Sequence, residues 1–353
     1  MNGDSIPQDA QAGLPVPPSE ISRARFTAIL LCFFLSGAAG LIYQVAWGKA
    51  LGLVFGHTVY AVATVIAVFM GGLALGSAWL GRWSERRGNA VALYGWVEIA
   101  IGLTGALSLL GLAGVRAFYV AAYPAFAGSA AALVALRFVA SAVVLLIPTF
   151  LMGGTLPILI KGLTRSSTEL GARISRLYWV NTLGAVTGTI AAGFLLVPWL
   201  GLRLTVTVAV AMNLLAGAIA LLLSRGVRVP MPVAERSENP PPQAARPSWF
   251  LLGSFALVGA TAIAYEVAWT RLLSTQLGSS TYAFTVMLAT FLAGIVLGSA
   301  LFELVFRAGR EVHLGTFALT QTLTGLAAVG FLVAFQKLPV LAATILKATH
   351  EAF

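Results

Sequence analysis

The chain has 353 residues, of which 59% are hydrophobic and 10% charged, with a formal net charge of +10. A soluble domain carries roughly 25% charged residues; the deficit, with a mean hydropathy of +0.90, excludes an ordinary soluble enzyme and points to lipid as the solvent. The cations stand singly or in small groups between apolar segments, with no basic stripe and no interleaved aromatics, which excludes nucleic acid as a partner.

Residues 1–22 are polar and proline-bearing and are expected to be a disordered cytoplasmic N-terminus, too extended to lead a cleaved signal peptide. Apolar runs of about 20 residues, enough for a helix to cross roughly 30 Å of hydrocarbon, then recur along the chain. They predict nine spans, at about 26–47, 58–80, 90–114, 134–160, 173–198, 203–224, 249–270, 281–305 and 314–336. Cys32, in the first span, is the only cysteine, so an intramolecular disulfide and a cysteine-based metal cluster are both excluded. No metal site and no cofactor follows from the sequence.

Fifteen of the 22 lysines and arginines fall on one side of this arrangement, which predicts a cytoplasmic N-terminus and an integral protein of the plasma or inner membrane. The stretch RGVRVPMPVAERSENPPPQAARP, residues 225–247, reads as a flexible cytoplasmic linker. It separates a first six-helix half (23–224) from three further spans and an external segment (248–353). The chain stops before a tenth span, so the second half is expected to be incomplete and the chain a fragment.

Self-comparison shows a repeat. The 48 residues from Phe33 match those from Phe255 without gaps at an offset of 222, with 19 identities. Gly37, Tyr43, Trp47, Gly72 and Gly76 recur as Gly259, Tyr265, Trp269, Gly294 and Gly298. At offset 223, Tyr94, Glu98 and Gly102 face Phe317, Gln321 and Gly325. Six spans separate the copies, so both cross in the same direction. That is a parallel repeat, with an expected rotation axis near the membrane normal.

Three sets of residues carry a family resemblance: the paired LIYQVAW and AIAYEVAW, IPTFLMGGTLPILIKGL from Ile147, and SRLYWVNTLGAVTGTIAAGFLLVPWLGLR from Ser175. They resemble the membrane region of fused MFS/spermidine synthase-type proteins, over roughly residues 26–336. The resemblance implies an MFS-like fold, a polyamine as the solute, and a polyamine aminopropyltransferase-like domain elsewhere in a larger protein. This chain has no glycine-rich strand-to-helix turn and no catalytic constellation, so aminopropyl transfer is not expected of its own residues. Gly81-Arg82-Trp83-Ser84-Glu85-Arg86-Arg87-Gly88 is also similar, in part, to the facilitator loop pattern G-x-x-x-D-R-x-G-R-K, and Arg307 and Arg310 echo it. These residues form either a charge clasp between helix ends or an ordinary solvated loop.

Ionisable groups in lipid must face protein, cavity or interface. Glu98, the deepest acid, either binds a cation or coupling proton or pairs with a cytoplasmic arginine. In the first case Glu98 and Gln321 should face one cavity between the halves. Gln44 and Glu266, with Tyr43/Trp47 and Tyr265/Trp269 beside them, form either an interfacial hydrogen-bonding cluster in the external aromatic belt or a gate that receives a cationic solute. In span four, Pro148, Gly153, Gly154 and Pro157 predict a kinked or unwound turn, either a hinge or a packing feature, with Asn181 and Thr182 of span five opposite. Glycines spaced four apart (Gly72/Gly76, Gly184/Gly188, Gly294/Gly298) are assigned to close helix packing. The reading is therefore an all-α polytopic module in the bilayer that binds or moves a small, cationic solute. Its rival is a non-transporting anchor or substrate-presenting scaffold for a synthase-like domain.

Overall fold

The structure, a computed structural model, describes residues 23–56, 59–84, 88–163, 167–225, 249–277, 280–306 and 314–337, with isolated positions 340 and 344. The leader, almost all of the linker and the clasp residues Glu85, Arg86, Arg307 and Arg310 lie outside the described residues.

The described chain is helical throughout, in the order α1 (Arg23–Phe55), α2 (Val59–Trp83), α3 (Ala90–Phe126), α4 (Ala130–Leu163), α5 (Ser167–Ala191), α6 (Val197–Ser224), α7 (Trp249–Leu277), α8 (Ser280–Phe306) and α9 (Leu314–Phe335). A π-helical turn, Ala192–Leu196, joins α5 to α6 without a loop. Eight helical stretches among the described residues are long and apolar enough to cross a membrane. The longest, Ile174–Ser224, has 51 residues and turns at Gly201, whose φ of 73° and ψ of 172° suit only glycine. That turn divides it into the two spans expected from the sequence. Several helices outrun the predicted spans; α3, at 37 residues, is far longer than a hydrocarbon core needs.

Serine and threonine hydroxyls within the spans largely return to their own helix. Thr64, Thr149, Thr189 and Thr285 each donate to the carbonyl four residues back, at 2.6 to 2.8 Å. The donor is thereby satisfied where no water is available. Asn89 caps α3 by accepting from Ala92 N at 3.0 Å, and its Nδ2 donates to Ser224 O at 3.3 Å, tying the start of α3 to the end of α6.

Helices α1 to α6 share one buried core, in which α1 packs on α5 and α6, α2 on α4, and α3 on α4 and α6. Small residues set these approaches. A methyl group at Gly72 or Gly76 would overlap Thr149 or the Phe150 backbone, and one at Gly184 or Gly188 would overlap the α1 backbone at Phe34 or Ala38. The expected packing role of these glycines is met in the first half. Helix α8 reaches the first half through α5, and α7 packs on α8. Most apolar side chains of α7 and α9 stay exposed, α9 contributing only Phe335 to the interior. Gly294 and Gly298 have nothing within 4 Å, so their packing role is not met among the described residues.

Helix α4 corrects one expectation. It runs as a single α-helix through Pro148, Gly153, Gly154 and Pro157, with no unwound turn. Gly153 and Gly154 sit against Leu73 and Leu80 of α2, so these glycines admit a neighbouring helix instead of opening their own.

Candidate functional site

The repeats pack against each other around a narrow, partly open pocket of about 60 Å³, room for a few waters. Its walls come from both repeats: Gln44 and Lys49 of α1, Phe69 of α2, Thr270 of α7, and Thr281 and Phe284 of α8. Gln44 is buried, and its Nε2 has no hydrogen-bond partner among the described residues; Thr281 Oγ1 likewise has none. Thr270 donates its hydroxyl to the Glu266 carbonyl at 2.7 Å, which fixes its rotamer. Glu266 itself lies one turn before Thr270, is 3% exposed, and has an unpartnered Oε1. An amide donor and a hydroxyl with unmet capacity thus belong to wall residues of one space, and a buried carboxylate, not itself a wall residue, lies one turn from the wall residue Thr270. Buried polar groups are ordinarily paired, so this space calls for water or a polar solute. Lys49 stands five residues beyond Gln44, about 7 Å further along α1.

The aromatic pairs beside this space differ between the copies. Tyr43 and Trp47 stack at 4.7 Å and Tyr265 and Trp269 at 5.6 Å, so the intrahelical contact recurs. Tyr43 and Trp47, however, are fully buried, and Trp47 Nε1 donates to Ser108 Oγ of α3 at 2.9 Å. They belong to the bundle interior, not to an aromatic belt. Tyr265 and Trp269 are half-buried.

Contacts between helices repeat as well. Phe33 of α1 meets Tyr94 of α3 at 6.1 Å; their counterparts Phe255 of α7 and Phe317 of α9 meet at 5.3 Å. Trp47 meets Ser108, and Trp269 meets Phe331, the counterpart of Ser108, at 4.7 Å. The first and third helices of each copy therefore face each other through matching positions.

Glu98 lies elsewhere, enclosed by α1, α3 and α6. It is fully buried, and Asn213 Nδ2 donates to its Oε2 at 2.6 Å. The hydroxyls of Ser36 and Tyr94 stand against the same carboxyl. Although close, Oη of Tyr94 and Oε1 of Glu98 form no hydrogen bond of good geometry, and Oδ1 of Asn213 has no partner among the described residues. Glu98 does not line the cavity between the repeats, and neither does Gln321, half-buried on α9. The structure does not bring those two together. Among the described residues, which exclude Arg86, Glu98 pairs with no arginine; Asn213, an uncharged partner, holds it instead. Asn181 packs its backbone and Oδ1 on Gly37 of α1, and buried Thr182 bonds back to Tyr178 O at 2.7 Å.

Sequence reasoning missed Asn213, Thr270 and Thr281. Asn213 carried a readable signal, a lone amide in an otherwise apolar span. The two threonines carried none, because threonine is common in these helices.

No family model matches the chain, and no solved structure matches it. Among curated proteins it is 29% identical to polyamine aminopropyltransferase 1 of Streptomyces coelicolor over 216 residues, 60% of this chain and 37% of that protein. It is 27% identical to polyamine aminopropyltransferase of Corynebacterium efficiens over 206 residues (56% and 36%), and 26% identical to the protein of that name from Oceanobacillus iheyensis over 186 residues (53% and 33%). The matches span only about a third of the length of these relatives.

Proposed function

We propose that this chain is the membrane region of a polyamine aminopropyltransferase-type protein and that it holds a polyamine-like cation between two MFS-like parallel repeats. One observation carries this reading: both repeats contribute residues with unpartnered polar atoms, Gln44 Nε2 and Thr281 Oγ1, to one narrow pocket, and the buried Glu266 lies one turn from its wall residue Thr270. A linear polyamine offers ammonium groups separated by methylene segments. The Glu266 carboxylate suits an ammonium, the Thr281 hydroxyl oxygen can accept from its remaining donors, Gln44 Nε2 can donate to adjoining water, and Phe69 and Phe284 suit methylenes. The names of the curated relatives support a polyamine as the solute. The cavity as it stands is tight, so entry of a polyamine requires the repeats to part, as rocking of two halves would allow. The excess of cations on one side supports a cytoplasmic N-terminus in a plasma or inner membrane.

Binding of labelled spermidine to purified protein, and its uptake into reconstituted vesicles, tests the reading. Glu266→Gln keeps shape and removes charge, so it should abolish binding while leaving the thermal melt near that of the parent. Binding that survives Glu266→Gln unchanged overturns it.

A second reading is favoured by the relatives being named as enzymes over lengths about threefold the match. In it the helices anchor or present substrate to a catalytic domain without moving the solute. Binding without uptake supports that version.

A further inference from the structure

At the end of the bundle formed by the C-terminal parts of α1 and α3 and the start of α6 lies a second, broader cavity, open to the surface, of about 1020 Å³. Its walls are almost wholly apolar, with Leu53 and Val54 of α1, Leu109 and Val120 of α3, and Val206 of α6. Two groups break that pattern: Arg116 of α3 and Arg203 of α6 both line it. Both arginines are exposed, and neither guanidinium has a hydrogen bond or ion pair among the described residues. The helix turns out of register at Gly201 and restarts at Leu202, also a lining residue, which sets a helix N-terminus at the cavity edge. The positive end of the helix dipole thus joins the two arginines.

We infer that this cavity binds an anionic phospholipid, its phosphate held by Arg116 and Arg203 and its acyl chains against the leucine and valine walls. Three positive features on one apolar-walled space are complementary to a ligand that is anionic at one end and apolar along the rest. A free anion would gain nothing from the walls, and a zwitterionic lipid would return less from the arginines. Guanidinium groups also hold phosphate in bidentate geometry, which separates this site from a general attraction of cations to the membrane surface. The site is separate from the space between the repeats and does not depend on what is bound there.

The test uses the purified full chain in detergent, exchanged with an equimolar mixture of phosphatidylglycerol and phosphatidylcholine and read by native mass spectrometry. The parent protein should retain phosphatidylglycerol with roughly tenfold preference, the ratio expected when two cations near the surface each contribute modestly. Arg116→Gln with Arg203→Gln should bring the ratio near parity, whereas Lys337→Gln, which removes an exposed charge outside the cavity, should leave it as in the parent. Equal retention of the two lipids by the parent overturns the inference, and that measurement stands even where the double variant fails to fold. A preference that survives the double variant, or that Lys337→Gln removes as well, also overturns it. Thermal stabilisation by inorganic phosphate alone, equal to that given by phosphatidylglycerol, would show a small-anion site instead.

Discussion

Asn213 donates from Nδ2 to Oε2 of Glu98 at 2.6 Å, joining α6 to α3 across 115 residues of sequence in a place with no solvent exposure. Breaking one side of such a contact strands the other. Glu98→Leu should lower stability by about 1–3 kcal/mol, because it leaves the Asn213 amide unpaired in the core. Glu98→Gln keeps an acceptor and should melt close to the parent. Adding Asn213→Leu to Glu98→Leu should recover part of the loss, since removing both partners removes the stranded group. Thermal melts of the three variants decide it; additive losses would mean that the two side chains are not energetically paired.

Gly76 and Gly298 are repeat counterparts in opposite surroundings. A methyl at Gly76 would overlap the Phe150 backbone, while Gly298 has open space around it. Gly76→Ala should cost about 1–3 kcal/mol by forcing α2 and α4 apart. Gly298→Ala should be neutral or stabilising by up to about 1 kcal/mol, as alanine is the better helix former. Comparable destabilisation by both would show that α8 has a packing partner not among the described residues.

At Gly201 there is no crowding, yet the backbone is in a region that side chains avoid. Gly201→Ala should therefore lose about 1–3 kcal/mol through backbone strain alone. A variant that melts with the parent would mean that α5 and α6 need no turn there.

Cys32, the chain's only cysteine, is 1% exposed inside the first bundle. A polar maleimide should leave the folded protein unlabelled over a period in which the detergent-denatured protein reacts fully. Rapid labelling of the folded protein would show that α1 does not hold the packed position described.

The spans were legible because hydrocarbon thickness fixes the length of an apolar helix, and Gly201 falls where the sequence left a gap between spans five and six. The repeat was legible from Trp47/Trp269 and the paired glycines, and the recurring contacts of Phe33 and Phe255 follow from it. Partnership between distant helices was not legible. Nothing near Glu98 in sequence indicates Asn213, and apolar spans look alike from outside. Pro148 and Pro157 misled for a related reason. Each costs one backbone hydrogen bond, but two prolines nine residues apart leave enough bonding for α4 to continue. Gln44 and Glu266 were singled out for their polarity; Thr270 and Thr281 are recognisable only once α7 and α8 are packed against α1 and α2.

The connection between α5 and α6 has a mechanical consequence. The chain passes from α5 through a π-helical turn into α6 with no slack. Gly193, in that turn, lies against Thr285 of α8, and Asn213 stands about 18 Å beyond Gly201. A tilt of α5 against α8 therefore carries the near end of α6 with it, and Gly201 is the single joint where the rod can fold. In the rocking proposed above, parting of the repeats would be coupled across that joint to the Asn213–Glu98 contact. Distance labels placed on either side of Gly201 would show the joint angle changing in step with the α5–α8 separation.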